Sequence, residues 1–559
     1  MNKAKKKYAL GLDFGTLSVR ASLVDLEDGT EFGAAVNHYA HGVIERHLPN
    51  NQIKLKVDSA LQNPLDYLES LEKVVPQVIN DTGIDSEDVV GIGVDFTSCT
   101  MMPTSADGTP LCADRRFKDN PHAWAKLWKH HAAQPEADKI NEIGNARKEP
   151  FIQIYGGKYS SEWFFSKLLE TVNDAPDLYD TSDTFIEAGD WIVWQLTGND
   201  KRSISAAGFK SMVVYPSENG EWNYPPSDFF KELHPKLENV VSDKLADSFL
   251  PLGTNAGGLT KKMASILNLC EGTAVAVANI DAHVAVPACK VANPGKLVMI
   301  MGTSTCHLLV SNQRHMVEGM CGVVEDGVLP GFWGYEAGQS GVGDSFAWFL
   351  ENAYPGKKSS DSDRESFEFL SQKAKELKVG QSGLLALDWW NGNRSVLMDS
   401  DLSGLIVGLS ITSQPHEIFR ALIEATAFGT RRIIEAFTNQ GVDIDEIIAC
   451  GGLAKKNPFL MQVYADITGR IIKIASSEQT CALGSAMFGA LAAGHFNSIE
   501  EAADKMAHLQ NDTYSPNPKN MEVYQKLYHE YLKLHDYFGR QDDSPMKLLK
   551  NLRREMSGS

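Results

Sequence analysis

The stretch Lys7–Asp25, KYALGLDFGTLSVRASLVD, places two apolar segments on either side of a polar centre, Asp13-Phe14-Gly15-Thr16. Apolar runs separated by a glycine-containing turn predict a β-hairpin. The glycine and threonine suit an ordinary turn or an anion site, because a glycine lets backbone N–H groups approach a phosphate. An aspartate at a strand end can hold Mg²⁺ through water beside a nucleotide. This hairpin alone leaves both interpretations open.

A second stretch, LVMIMGTSTCHLLV at Leu297–Val310, repeats the same plan of apolar strand, Gly-Thr turn and apolar strand. Each copy opens a region of comparable size, which a duplicated α/β fold with a cleft between its halves would produce. Two short hairpins could also match by chance. The presence of two Gly-Thr turns shifts the balance from plain turns towards phosphate binding.

Two further motifs carry alternatives of their own. In ACGGLAKKNPF (Ala449–Phe459) a strand runs into Gly451-Gly452, and Asn457 can cap a helix that begins at Pro458. That motif is either a plain strand-to-helix turn or a flat backbone surface for a nucleoside. In VANIDAHVAV, Asp281 is either a helix N-cap or a general base that accepts the proton of an attacking hydroxyl.

Composition limits the function classes. The chain has 559 residues and a net charge of -19, which argues against non-specific binding to nucleic acid. The eight cysteines are widely spaced, which is typical of thiols in a reducing cytoplasm rather than of a zinc or redox site. No apolar run reaches the roughly 20 residues needed to span a bilayer, and we expect neither a signal peptide nor a membrane partner.

Strands that alternate with helices along the chain predict an α/β architecture. The motifs above, in this order, resemble the FGGY family of carbohydrate kinases, members of the actin-like ATPase superfamily, over nearly the whole chain. GLIVGLSITSQPHEIFRALIEATAFG (404–429) resembles the C-terminal signature of the family, and GGKYSSEWFFSKLLE (156–170) resembles a degenerate N-terminal one. VDFTSCTMMP (94–103) and GYEAGQSGVGD (334–344) resemble the branch that acts on ribulose rather than on glycerol or xylulose.

The resemblance implies two actin-like ATPase (ribonuclease H-like) domains with a central cleft. The N-terminal, sugar-binding domain is expected over residues 1–275, with an inserted polar and aromatic segment at about 102–157. The C-terminal, nucleotide-binding domain is expected over 276–540, followed by a tail at 541–559.

The resemblance also implies a role for each motif. The first phosphate motif contains Gly15 and Thr16, with Asp13 as the metal-binding residue; the second contains Gly302, Thr303 and Ser304; the adenosine motif contains Gly451, Gly452 and Asn457; the sugar site contains Thr97, Ser98, Lys210 and Glu336; and Asp281 is the catalytic base and also binds the sugar. Simpler roles remain open for three of the sugar-site residues. Lys210 can be a surface lysine, Glu336 a structural ion-pair partner and Ser98 a turn residue.

The expected activity is ATP- and Mg²⁺-dependent phosphorylation of L-ribulose, or another 2-ketopentose, at its 5-hydroxyl during L-arabinose degradation. The products would be the 5-phosphate and ADP, and the resemblance implies a cytoplasmic homodimer. One alternative is another sugar or polyol kinase of the family, acting on xylulose, ribitol or glycerol. A less favoured one is a non-metabolic actin-like ATPase, because that superfamily shares the phosphate motifs.

Overall fold

The computed structural model describes residues 6–49, 53–214, 222–246, 248–354, 362–541 and 543–557. Its strands in chain order are β1 (Tyr8–Phe14), β2 (Ser18–Asp25), β3 (Glu31–His38), β4 (Leu61–Gln62), β5 (Val89–Phe96), β6 (Met101–Thr104), β7 (Ala125–Lys126), β8 (Thr184–Glu187), β9 (Asn255–Gly258), β10 (Ala274–Ala276), β11 (Asn279–Ile280), β12 (Gly295–Met301), β13 (Thr305–Ser311), β14 (Gly322–Glu325), β15 (Trp333–Gln339), β16 (Leu385–Leu387), β17 (Leu405–Val407), β18 (Ile444–Cys450), β19 (Ile471–Ala475) and β20 (Leu509–Tyr514).

The α-helices in chain order are α1 (Pro64–Thr82), α2 (Gln134–Arg147), α3 (Pro150–Ile154), α4 (Phe164–Asp174), α5 (Pro176–Thr181), α6 (Ala188–Thr197), α7 (Ile204–Lys210), α8 (Ser227–Leu233), α9 (Val240–Lys244), α10 (Lys261–Leu267), α11 (Asp281–Ala288), α12 (Gly343–Asn352), α13 (Asp363–Glu376), α14 (Pro415–Thr438), α15 (Gly452–Lys456), α16 (Pro458–Thr468), α17 (Thr480–Ala492), α18 (Ile499–Met506), α19 (Pro518–Arg540) and α20 (Pro545–Ser557). Among the helices that the structure describes, none has both the length and the apolar character needed to cross a bilayer.

Two large sheets share one strand plan. In the first sheet the order is β3-β2-β1-β5-β10-β9, and β11 pairs with β5. In the second sheet the order is β14-β15-β13-β12-β18-β19-β20. From β3 and from β15 onward, two antiparallel pairings are followed by two parallel pairings and a final antiparallel one. The duplication predicted from the two hairpins is therefore confirmed, and the α/β fold class with it.

Both hairpins form as predicted. β1 pairs with β2 so that Asp13 lies opposite Arg20, and β12 pairs with β13 so that Met301 lies opposite Thr305. The residues that separate the paired strands include the Gly-Thr sequences. Apolar side chains such as Leu10 and Leu12 are fully buried beneath the first hairpin, which fixes its register because a one-residue slip would expose them.

The first sheet extends past the predicted junction at residue 275. That residue lies inside β10, and both β10 and β11 pair with β5, so sheet pairing continues to Ile280. A junction at this point of the sequence remains a prediction. The reason for the difference is that the short strands β10 and β11 follow each other closely, and their pairing partner cannot be deduced from their own residues.

The segment predicted as an insertion at about 102–157 contributes to the interior. Strands β6 and β7 join a four-stranded sheet of order β4-β7-β6-β8. Phe151 and Tyr155 are buried in the largest apolar cluster of the chain. Aromatic side chains among polar residues can therefore pack as core, and this segment is more than a surface cap.

The segment predicted as a tail at 541–559 contains helix α20. Met546 at its start is buried, and its sulfur accepts a hydrogen bond from the Ser403 backbone N–H over 3.4 Å. This contact gives the helix an anchor on the rest of the chain, which a sequence rich in lysine and arginine did not indicate.

Helix α17 packs directly on the first sheet where that sheet is lined by glycine. A Cβ atom added to Gly93 of β5 would lie 1.7 Å from the Ser485 carbonyl oxygen. Because that oxygen belongs to helix backbone, the helix could not yield without moving as a body. Helix α17, from the C-terminal part of the chain, is thus held against β5, the strand that carries Asp95.

Replacing Gly93 by alanine is expected to destabilise the protein by about 3 kcal/mol, because the methyl group overpacks this contact. Thermal unfolding followed by circular dichroism should show a clearly lower melting temperature. Gly452→Ala is the matched control, since a Cβ there would have nothing within 4 Å. Equal melting temperatures for the two variants would contradict this account of the α17 contact.

Candidate active site

Three carboxylates meet at one edge of the first sheet. Asp13 of β1 lies beside Asp95 of β5 in parallel register. Ile280 of β11 lies beside Phe96 of the same strand, and Asp281 follows it as the first residue of α11. Since the carboxyl ends of parallel strands share an edge, the fold brings these three side chains together from distant parts of the sequence.

The charges around Asp13 and Asp95 are only partly balanced. Arg20 Nη1 donates to Asp13 Oδ2 over 2.9 Å, yet burial still raises the pKa of Asp13. Burial and the neighbouring Asp13 charge hold the pKa of Asp95 well above its usual range. Asp95 Oδ2 accepts from Ser485 Oγ over 2.5 Å, whereas its Oδ1 meets no donor among the described residues. A bound cation would therefore balance negative charge that Arg20 leaves uncompensated.

Asp281 is half-buried, and its pKa is raised. Its Oδ1 accepts from the Ala282 N–H over 2.7 Å, and it lies within α11 rather than at the N-cap position, which is Ile280. The plain N-cap interpretation is therefore wrong. Burial, followed by the charge of Asp13, raises the pKa of Asp281 to about 7. A carboxyl with this pKa can accept a proton near neutral pH.

A buried ion pair joins the two halves of the molecule. Lys210 Nζ at the end of α7 donates to both oxygens of Glu336 on β15, over 3.0 and 2.9 Å. His283 Nε2 lies 3.2 Å from Glu336 Oε2. Burial alone would raise the pKa of Glu336, but the Lys210 ammonium and His283 hold it below its usual range. Lys210 is thus a buried residue and not a surface lysine.

The charge of Lys210 also reaches Asp281. Glu336 raises the pKa of Lys210 above its usual range although burial opposes this. Lys210 in turn favours the ionised form of Asp281, while Glu336 disfavours it. The predicted sugar-site residues and the predicted base therefore belong to one electrostatic neighbourhood.

The two phosphate turns are closed by short backbone bonds. Gly15 N donates to the Ser18 carbonyl over 3.0 Å, and Gly302 N donates to the Ser304 carbonyl over 2.9 Å. Gly302 and Thr303 are exposed, and Thr16 is half-buried. The structure leaves the outer face of both turns open to a ligand.

Trp128 adjoins the first phosphate turn. Its Nε1 donates to Thr16 Oγ1 over 3.1 Å, and its ring is half-buried. No residue of the segment at about 102–157 is among the site residues that the resemblance implies. The Trp128 Nε1–H group, which donates to Thr16 at the edge of the site, is the feature that sequence reasoning missed.

The loop that follows β5 lies against the first hairpin. Thr97 N donates to the Phe14 carbonyl over 3.2 Å, and Thr97 Oγ1 lies 2.9 Å from Thr100 Oγ1. Ser98 between them is half-buried. Ser98 therefore occupies a turn, as its simpler interpretation requires, and that turn borders the carboxylate cluster.

The predicted adenosine motif lies at the matching edge of the second sheet. β18 runs parallel to β12 and places Ile300 beside Cys450, so Gly451 lies next to the turn that carries Gly302. Gly451 has φ 90°, and Gly452 is exposed. The backbone here can lie flat beneath a ligand, as a glycine pair allows.

Asn457 has a structural role in this motif. Its side-chain oxygen accepts from Leu460 N over 3.0 Å, and Pro458 follows as the first residue of α16, so the predicted cap is confirmed. Its Nδ2 donates to Ser371 Oγ over 3.0 Å, and the side chain is buried. Direct contact between this side chain and adenosine, which the resemblance implied, remains a prediction, and both polar atoms already have one partner within the protein.

Comparison with known proteins places the chain among sugar kinases. The model of the N-terminal domain of the FGGY family of carbohydrate kinases matches residues 8–230, and that of the C-terminal domain matches 297–493. A ribulokinase of Geobacillus thermodenitrificans is 52% identical over 98% of this chain and 97% of its own length. A ribulokinase of Halalkalibacterium halodurans is 51% identical over 98% of each chain.

Solved structures agree on the fold. A gluconate kinase from Lactobacillus acidophilus superposes with a TM-score of 0.79 at 18% identity, covering 96% of this chain and 99% of that one. At this identity the likeness concerns the fold alone. The two-sheet fold is thus shared with a sugar kinase of low sequence similarity.

Proposed function

The chain belongs to the FGGY family of carbohydrate kinases, and we propose that it transfers the γ-phosphate of ATP to the 5-hydroxyl of L-ribulose. The observation that carries this proposal is the Asp281 carboxyl, which interacts electrostatically both with Asp13 and with the Lys210–Glu336 pair. The high identity to proteins named ribulokinase supports ribulose over xylulose or glycerol as the sugar.

Asp281 acts as the general base in this proposal. It accepts the proton of the sugar 5-hydroxyl as that oxygen bonds to the γ-phosphorus and the bond from phosphorus to the β,γ-bridging oxygen breaks. ADP leaves with the electron pair of that bond. Only one base is needed, because most of the catalysis of phosphoryl transfer comes from positioning and charge stabilisation.

Lys210 and Glu336 bind hydroxyl groups of the sugar. A locked ion pair offers one strong donor and one strong acceptor side by side, and charged groups make the stronger hydrogen bonds to hydroxyls. Thr97, Ser98 and Trp128 border the same space from the hairpin side. A different ketopentose would place a hydroxyl elsewhere and leave a polar group of the site without a hydrogen-bond partner, which would weaken its binding.

The two Gly-Thr turns hold the phosphates. Gly15 and Gly302 close the two turns through their own N–H groups, so that Thr16 on one side and Thr303 and Ser304 on the other present N–H and hydroxyl donors to phosphate oxygens. Gly451 and Gly452 carry the adenosine, with Asn457 fixing the helix beside them. Donors that are already in place stabilise the charge that develops on the transferred phosphoryl group.

Asp13 and its neighbours fit Mg²⁺. The ligand atoms would be carboxylate oxygens, which Mg²⁺ prefers. The Arg20 guanidinium balances part of their negative charge, and Asp95 Oδ1 accepts no hydrogen bond from the described residues. Asp13 would hold the ion, directly or through water, with Asp95 adjacent. When bound, Mg²⁺ supplies positive charge to the phosphates of ATP.

The acid limb of the pH profile is expected to report Asp281. Burial raises the pKa of Asp281 to about 7, and only its ionised form accepts a proton. The kcat/KM for L-ribulose should therefore fall about tenfold per pH unit below that value. In kcat the limb should lie at lower pH, because the bound cation offsets the Asp13 charge that raises this pKa. A profile that stays flat down to about pH 5 contradicts the assignment.

A panel of sugars tests the function itself. ADP release is followed with L-ribulose, D-ribulose, xylulose, ribitol and glycerol, each with MgATP. L-ribulose is expected to give the highest kcat/KM. A higher kcat/KM with another sugar or polyol would assign the activity of a different member of the family. ADP release at the same rate with and without each sugar would favour a non-metabolic ATPase. A homodimer in the cytoplasm is part of the proposal, and light scattering tests the dimer.

A further inference from the structure

A buried ammonium group joins two chain segments that border the sugar site. Lys167 of α4 is 0% exposed, and its Nζ donates to the Cys99 carbonyl over 2.5 Å and to the Leu127 carbonyl over 2.8 Å. Cys99 follows Ser98, and Leu127 precedes Trp128. One side chain thus binds the backbone of two segments, one next to Ser98 and the other next to Trp128.

Cys99 has a backbone conformation that its own side chain disfavours. Its φ is 60°, in the left-handed region where residues with a Cβ are uncommon. Such a residue persists only where its surroundings determine it. The Lys167 ammonium supplies one such restraint on the carbonyl of this residue.

A second buried ionisable residue lies on the other side of Cys99. Burial raises the pKa of Glu187, which ends β8 and is 7% exposed, to about 8, and a hydrogen bond from the Cys99 N–H opposes this rise. The next carbonyl, that of Thr100, accepts from Ala188 N over 2.7 Å. The turn after Ser98 is therefore restrained at consecutive peptide groups.

Packing alone does not account for Lys167. A fully buried ammonium loses its hydration, and an apolar side chain of similar length would fill the same space without that penalty. What the lysine adds is a pair of charge-assisted hydrogen bonds to two carbonyls that belong to different segments.

We infer that Lys167 is a positioning residue for the sugar: it fixes the Ser98 turn and the Trp128 segment at the spacing that a ketopentose requires. The inference rests on the proposed function for the identity of the ligand. Lys167 itself makes no contact with the sugar and acts through Cys99 and Leu127. Its loss should therefore raise the KM for the sugar more than the KM for ATP.

Lys167→Met tests this by separating two Michaelis constants. The KM for L-ribulose is expected to rise roughly 10- to 100-fold, the range that follows from losing hydrogen bonds to a charged group. The KM for ATP should rise less than the KM for L-ribulose, since the second phosphate turn and the adenosine motif lie on the other sheet. A folded variant with a wild-type KM for L-ribulose overturns the inference.

Cys99→Gly provides a rescue that a merely structural role does not predict. Glycine adopts φ 60° without steric penalty, so the Ser98 turn would no longer need the ammonium. The double variant Lys167→Met/Cys99→Gly should recover the part of the lost sugar affinity that depends on the Ser98 turn, because the glycine does not restore the bond to the Leu127 carbonyl. A double variant no better than Lys167→Met would overturn the inference, because Lys167 would then act on the fold in general.

Two further measurements keep the inference testable. If Lys167→Met does not fold, Cys99→Val in the wild-type background should raise the KM for L-ribulose, because a β-branched residue resists positive φ; an unchanged KM overturns the inference. If the wild type does not phosphorylate L-ribulose, the proposed function fails separately. Amide hydrogen exchange at Cys99 and Thr100 should still be faster in Lys167→Met, and equal exchange rates overturn the positioning role.

Discussion

Asp281→Asn is expected to lower kcat by about 10²- to 10⁴-fold, which is the usual contribution of a positioned general base. The amide keeps the size of the carboxyl but cannot accept the proton of the sugar hydroxyl. ATP binding should be almost unchanged, because the substitution keeps the size of the side chain and because the second phosphate turn and the adenosine motif lie on the second sheet. Steady-state kinetics with L-ribulose and a titration with ATP measure the two effects.

The control for this variant is Asp443→Asn. Asp443 is exposed and precedes β18, so the same chemical change is made away from the cluster. It should leave kcat near the wild-type value. Turnover of Asp281→Asn within a few-fold of the wild type would remove Asp281 from the role of base.

Lys210→Met is expected to impair both stability and sugar use. It removes the ammonium and leaves Glu336 buried with His283 as its remaining partner. Breaking a buried ion pair from one side destabilises a protein by about 3–5 kcal/mol, since the other charge stays without compensation. The melting temperature should fall, and kcat/KM for L-ribulose should fall with it.

A double variant separates these two effects. Lys210→Met/Glu336→Leu removes both charges, so much of the lost stability should return, because an apolar pair of similar volume often replaces a buried ion pair without penalty. Sugar use should not return, since both hydrogen-bonding groups are missing. Recovery of wild-type sugar kinetics in the double variant would exclude the pair from the sugar site.

The features that were predictable from sequence are local. The two hairpins need only alternating residues and a glycine, and the cap at Asn457 needs only the following proline. The end of α6 at Gly198, whose φ is 73°, is of the same kind. Each depends on residues within a few positions of one another, which is the range over which backbone preferences act.

The features that were not predictable depend on register between distant segments. Asp95 ends an apolar strand, but only the pairing of β1 with β5 places it beside Asp13. Lys210 and Glu336 lie 126 positions apart and meet because α7 of one half reaches β15 of the other. No pattern within either segment indicates its partner, so sequence reasoning reached Lys210 and Glu336 only through resemblance to a family and did not reach Asp95.

The most direct test of phosphoryl transfer to the 5-hydroxyl is the carbon-13 spectrum of the product made from L-ribulose and MgATP. Transfer at this position predicts phosphorus coupling at C5 and C4 of the product, in step with release of ADP. Coupling at C1 and C2, or ADP release with no phosphorylated sugar, would contradict the account.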